Sequence, residues 1–162
     1  MRKQLIDSNS TPAPSSPSPS TELEIRAIAT AWISSEAPDH PIENAFDGDR
    51  GPGGSYWLAT QPGEQQLILE FDQPQTFGKI IIEVEELTVS RSQELRIAIS
   101  QDQGQSYQEI HRQDYNFSPP GTTFEREAWQ VQAEQVTHVR LDIKPDKGDR
   151  SCFASLTALV LQ

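Results

Sequence analysis

The side chains best suited to chemistry are concentrated between Asn44 and Trp57. Asn44-Ala45-Phe46-Asp47-Gly48-Asp49 is followed by Ser55-Tyr56-Trp57, so short carboxylates, a turn glycine, a hydroxyl and large aromatics share one segment. Asp47 and Asp49, on either side of Gly48, define a tight, oxygen-rich turn. Such a turn can cap a helical turn by accepting backbone N–H bonds. It can equally hold a hard cation such as calcium among carboxylate and carbonyl oxygens. The residues alone leave both roles open, and both belong to a binding loop rather than a reaction centre.

Nothing else in the chain assembles a catalytic motif. The histidines are His40, His111 and His138, and none lies in a His-Glu-x-x-His pair. There is no Gly-x-Ser-x-Gly elbow and no phosphate-cradling Gly-x-x-x-x-Gly-Lys loop. Asp39, His40 and Glu43 include a His-x-x-Glu spacing that is too loose to define a metal site. Glu85-Glu86 reads as a solvated acidic face. The expectation is a protein that is not an enzyme.

Composition narrows the partners. The chain has 162 residues, about one domain, with 24 acidic against 13 basic side chains and a formal charge of −11. That charge repels phosphate backbones, so nucleic acid is not an expected partner. Cys152 is the single cysteine, which excludes an intrachain disulfide and permits a reducing compartment. Met1-Arg2-Lys3-Gln4-Leu5-Ile6-Asp7 starts with basic residues but lacks an apolar h-region, and no apolar run is long enough to span a membrane. If Met1 is the native start, a cytoplasmic location follows.

The elements that must position the loop are read from periodicity. Residues 1–21 are rich in Pro and Ser and are expected to be a disordered tail or linker, leaving 22–162 as the domain. Within the domain, Leu67, Leu69 and Phe71 share a face, as do Ile80, Ile82 and Val84. Leu95, Ile97 and Ile99 alternate with Glu94, Arg96 and Ala98, and Trp129 with Val131 and Val139, Leu141 and Ile143 alternate likewise. The run Leu156 to Leu161 is almost wholly apolar. Period-2 runs separated by turn residues predict strands with one face in a core. Turns are expected at Asp72-Gln73-Pro74, Asp102-Gln103-Gly104, Ser118-Pro119-Pro120-Gly121 and Pro145-Asp146-Lys147-Gly148. A single helical turn fits Pro41 to Phe46. The fold class is all-β, an antiparallel sandwich of about eight strands. Trp57 and Trp129 sit where the pattern points inward, while Trp32 is open between core and surface.

Read together, these pieces resemble the discoidin, or coagulation-factor C-type, domain of the galactose-binding-like jelly-roll fold, over roughly residues 24–162. Trp32-Ile33-Ser34-Ser35 precedes the acidic loop. Asn44 to Asp49 with Ser55-Tyr56-Trp57 is similar to that family's Asn-Ala-x-Asp-Gly-Asp followed by Thr-x-Trp. Leu67 to Phe71 and Phe77-Gly78-Lys79-Ile80 match strand, short turn, strand. Ile99 to Tyr107 resembles its Ser-x-Asp-Gly hairpin closed by an aromatic, and Val139 to Ile143 its late strand. Two departures stand out. Arg50-Gly51-Pro52-Gly53-Gly54 makes a longer, glycine-rich loop, and Ala158 occupies the place where many relatives carry a calcium-binding glutamate.

The resemblance implies a structural calcium held by Asn44, Asp47, Asp49 and Ser55, weakened by the loss of the late carboxylate. It also implies a noncatalytic module that recognises carbohydrate through loops at one end of the sandwich. The residue types suited to sugar hydroxyls and sugar faces there are His40, Arg91, Asn116, Phe117, Arg150 and Phe153. The alternative partner class is protein, through an intracellular docking role of the same fold.

Overall fold

The computed structural model describes residues 1–5 and 22–162. Most of the expected tail falls on residues 6–21, outside the described residues. Its first residues need a correction. Arg2–Leu5 forms a strand, β1, that lies parallel along β2 (Ala29–Ile33). All four of its side chains are exposed, so no burial period marks it in the sequence. Backbone pairing and charge hold it instead: Arg2 pairs with Asp72, and the Lys3 ammonium lies 2.8 Å from Glu36 and 3.0 Å from Glu43.

The remaining strands are β3 (Trp57–Pro62), β4 (Gln65–Glu85), β5 (Arg91–Ser100), β6 (Gln108–Phe117), β7 (Phe124–Lys144), β8 (Phe153–Leu156) and β9 (Ala158–Leu161). One turn of α-helix, Ile25–Ile28, leads into β2, and a 3-10 turn, Ile42–Phe46, precedes the acidic loop where a helical turn was expected. The strand order is β1-β2-β4-β7-β5-β6, with β9 also on β4 and β3 paired to β8. Every pairing except that of β1 is antiparallel. Among the described residues no helix is long and apolar enough to cross a membrane.

The turn expected at Asp72-Gln73-Pro74 does not form. The chain continues through it as one strand of 21 residues, with register shifts against β7 between Glu70 and Lys79. Such irregularities bend a strand without ending it. Pro74, which has no N–H to donate, falls where the ladder is interrupted. The shift also switches the inward parity, from Leu67, Leu69 and Phe71 to Ile80, Ile82 and Val84, and all six are buried. The first half of β4 therefore pairs with β2 and with 138–143 of β7, and the second half with 124–130 of β7 and with β9. Two layers thus share the same two long strands around one core.

The tryptophans separate by environment. Trp57 is 1% exposed, and its indole N–H donates to the Ser35 carbonyl at 3.0 Å. Trp129 is only partly buried at the margin of the core, where its ring lies 4.0 Å from that of His111. Trp32 is half-buried, with its N–H on Glu70 at 2.8 Å.

The β5–β6 connection matches the expected Asp102-Gln103-Gly104 turn. Gln103 and Gly104 take φ of 62° and 77°, the left-handed region that glycine enters without steric cost. Asp102 closes the turn by accepting from the Ser106 hydroxyl, from the Ser106 N–H at 2.9 Å and from the Ser100 hydroxyl at 2.7 Å. These bonds, the Ser106 hydroxyl first, pull its pKa down to about 2. A folded pKa below the unfolded value of about 3.9 means that the ionised form favours the fold above that value, and the contribution fades as pH falls towards 2. Asp102→Asn is expected to lower stability at neutral pH and to flatten the loss between about pH 4 and pH 2, as read from urea unfolding across a pH series.

Candidate binding site

At one end of the sandwich, β4 gives way to β5 through residues 86–90. Glu86 shapes this turn. Its carboxylate accepts the N–H groups of Thr88 and Val89 at 3.1 and 3.3 Å, the Thr88 hydroxyl at 3.2 Å and Arg91 Nε at 2.7 Å. Burial pushes the Glu86 carboxyl up, but the Thr88 N–H and the Arg91 guanidinium outweigh it and hold the pKa below the ordinary carboxylate value. With the turn fixed from within, Leu87 and Val89 face solvent, 64% and 39% exposed.

The opposite wall is the β3–β8 pair with the segment that leads into it. Phe153, at the start of β8, is 46% exposed. Tyr56, just before β3, is backed by His40, whose ring stacks on it at 4.1 Å and 19°. Between these walls lies an open cleft of about 480 Å³ lined by Tyr56, Leu58, residues 85–89, Arg91, residues 151–153 and Ser155.

The floor is a buried polar node. Besides Glu86, Arg91 donates to Gln93 Oε1 at 2.8 Å, to the Pro145 carbonyl at 2.8 Å and to Ser155 Oγ at 2.9 Å. Gln93 in turn donates to the Ser155 carbonyl at 2.9 Å. One guanidinium therefore ties β5, β8 and the 86–90 turn together.

The structure divides the six expected ligand residues. Phe153 and Arg91 line the cleft, and His40 stands behind its Tyr56 wall. Arg150 reaches the Ser90 carbonyl beside the turn and is paired with Asp146 at 2.8 Å. Three expectations change on contact with the geometry. Arg91 is 5% exposed with all three guanidinium nitrogens engaged, so it builds the site and does not reach into it. Phe117 is enclosed in the core, its ring 5.8 Å from the Arg91 guanidinium carbon, and offers no free face. Asn116 alternates with Phe117 onto the opposite face of the sheet, where it accepts the Ser92 hydroxyl. Sequence reasoning missed Leu87 and Val89 as lining residues. The available signal was a pair of apolar side chains in a turn between two alternating strands.

The four expected metal ligands do come together. Asp47 accepts the Asp49 N–H at 2.9 Å and the Ser55 hydroxyl at 2.5 Å, and Asp49 accepts the Ser55 N–H at 3.1 Å. Ser55 Oγ lies 3.4 Å from the Asn44 carbonyl, and the Asn44 amide holds the Tyr56 carbonyl at 3.0 Å. Oxygens of Asn44, Asp47 and Ser55 thus converge, which suits a hard cation. Among the described residues no group of three or more His, Cys, Asp or Glu side chains is placed to hold a metal, so a cation here would have the carboxylates of Asp47 and Asp49 and otherwise depend on carbonyl and hydroxyl oxygens.

Ala158, where the resemblance implied a glutamate in many relatives, is buried and pairs across the sheet with Glu83. Glu83 is itself 4% exposed, and its carboxylate accepts the Gly51 N–H at 2.8 Å. Glu85 accepts the Gly53 N–H at 3.1 Å. The glycine-rich loop is therefore fastened to β4 by acid-to-amide bonds, a role the sequence did not reveal.

The family model for the F5/8 type C domain matches residues 29–155. No curated protein matches the chain by sequence. Among solved structures, the chain is similar to the CBM32-3 module from a family 31 glycoside hydrolase of Clostridium perfringens, at 17% identity over 86% of this chain and 93% of that one, with a TM-score of 0.64. It is similar to the family 32 carbohydrate-binding module of C. perfringens NanJ, solved with galactose, at 15% identity over 87% and 97%, TM-score 0.58. It is also similar to the CBM32 of AlyQ, solved with 4,5-unsaturated mannuronic acid, at 17% identity over 88% and 98%, TM-score 0.61. At these identities the likeness is one of fold.

Removing one partner of a buried charge pair leaves the other uncompensated, at about 3–5 kcal/mol. Arg91→Ala is expected to destabilise the domain by about that amount, while Asn116→Ala stays within about 0.5 kcal/mol. Urea midpoints of the two variants check this.

Proposed function

Given that the chain belongs to the F5/8 type C domain family, we propose that it is a noncatalytic carbohydrate-binding module whose sugar lies in the cleft between the 86–90 turn and the β3–β8 pair. The observation that carries this reading is Phe153, an aromatic ring 46% exposed on the wall of a cleft with a rigid polar floor. A flat ring takes the apolar face of a pyranose, and convergent polar groups fix its orientation. Tyr56 supplies a second aromatic wall, already immobilised by His40, so little ordering cost remains on binding.

Charge sets the class of sugar. Arg91, the cation that lines the cleft, is neutralised by Glu86 and consumed by its other acceptors, while Glu85 contributes negative charge. An anionic sugar meets repulsion without a compensating free guanidinium. Neutral saccharides are therefore the favoured ligands and uronic acids the disfavoured ones.

Isothermal titration with neutral mono- and disaccharides, and with galacturonic and mannuronic acids, tests this. Binding of a neutral sugar that Phe153→Ala weakens at least tenfold (about 1.4 kcal/mol), and that Asn116→Ala leaves unchanged, is the expected result. Failure of every sugar, with a protein partner captured through Leu87, Val89 and Phe153 instead, would replace it with a protein-docking role.

The oxygen loop supports a weak calcium site of Asn44, Asp47, Asp49 and Ser55 beside the same wall. Calcium at millimolar concentration is expected to raise the thermal midpoint by a few degrees relative to EDTA, and Asp47→Ala to remove that response. A midpoint that calcium leaves unmoved would assign these side chains to capping the turn.

A further inference from the structure

The outer edge of β2 is covered by a short strand, β1, from a distant part of the chain. Among the described residues the sheet continues beyond β2 only into β1, so removal of that strand leaves the outer backbone groups of Ala29–Ile33 without described partners. Unpaired edges of this kind accept extended peptides through main-chain bonds, and neighbouring side chains select which peptide. Here the neighbours are acidic and already positioned. Glu36 is fixed by the Ile42 N–H at 2.9 Å, Glu43 belongs to the 3-10 turn, and Asp72 lies within β4.

Their present occupant is basic. Arg2 meets Asp72, and the Lys3 ammonium sits between the carboxylates of Glu36 and Glu43. Glu43 Oε2 is buried, and among the described residues it is the Lys3 ammonium, 3.0 Å away, that answers its charge. The register is definite: Arg2 opposite Thr30, Lys3 opposite Ala31, Gln4 opposite Trp32 and Leu5 opposite Ile33.

We propose that the β2 edge is a docking site for an extended peptide carrying adjacent basic residues, and that Arg2–Leu5 occupies it in cis. The occupant is weakly held. Its four side chains are exposed, Leu5 at 67%, and the apolar contact that secures it comes from Met1 ahead of the strand, partly buried against the core. Partly exposed ion pairs add little, because water and salt screen them. Covalent attachment supplies an effective concentration on the order of millimolar, which a competing peptide must match. β1 therefore acts as a removable cover over an edge that selects cations.

The test uses the full chain. In the charge-reversed variant Arg2→Glu/Lys3→Glu, the cover meets three carboxylates of its own sign. Hydrogen exchange of the Ala29–Ile33 amides is expected to accelerate at least tenfold, with the thermal midpoint still marking a folded domain. A synthetic peptide of residues Met1–Asp7, added at millimolar concentration, is expected to restore protection, and the same peptide with both cations replaced by Glu is not. Restoring Lys3 alone should recover most of the protection in cis. Unchanged exchange in the variant, no protection by the basic peptide, or equal protection by its acidic counterpart would each overturn the proposal.

Discussion

The cleft end of this domain depends on the burial of one cation. Taking a guanidinium out of water costs several kcal/mol unless its donors are all answered, and Arg91 has a carboxylate, an amide oxygen, a carbonyl and a hydroxyl arranged around it. Those acceptors come from the 86–90 turn, from β5 itself, from the chain after β7 and from β8. None of these segments is a neighbour of all the others in sequence, so the cation fixes their mutual position. The carboxylate that answers it, Glu86, also organises the turn that turns Leu87 and Val89 outward. Cleft shape and fold stability at this end are therefore one property.

The alternating faces of β4, β5 and β7 made the strand content and the sandwich legible, because period-2 burial is a local signal. Two features were not legible for a physical reason. Pro74 and its neighbours look like a turn, yet a bulge in a long strand needs the same residues, and only the register against β7 separates the two. Arg2–Leu5 carries no inward face, so its pairing rests on charges at positions 36, 43 and 72. Site residues fared less evenly. Residue type alone marks Arg91 and Phe117 as ligand groups and Phe153 equally so, but only the last has a free surface.

The pairing of positions 158 and 83 follows the same logic. Glu83 lies opposite Ala158 across the β4–β9 pair, and its carboxylate serves the loop by accepting the Gly51 N–H. Directly opposite residues on an antiparallel pair have Cβ atoms about 5 Å apart, so either strand can deliver an acid to the same neighbourhood. Sequence distance hides that equivalence, and the pairing Glu83 to Ala158 makes it visible.

That fastening reaches the cleft. Glu85 holds Gly53 of the glycine-rich loop and also lines the cleft, and Ser55 at the end of the loop is followed directly by Tyr56, the aromatic wall. The Tyr56 carbonyl is held by Asn44, one of the residues whose oxygens converge on the loop. Loop and cleft thus share a wall of a few residues with few independent degrees of freedom. The residues that position the oxygens of Asn44, Asp47 and Ser55 therefore also position Tyr56, through the Asn44 amide on its carbonyl and through its direct chain link to Ser55.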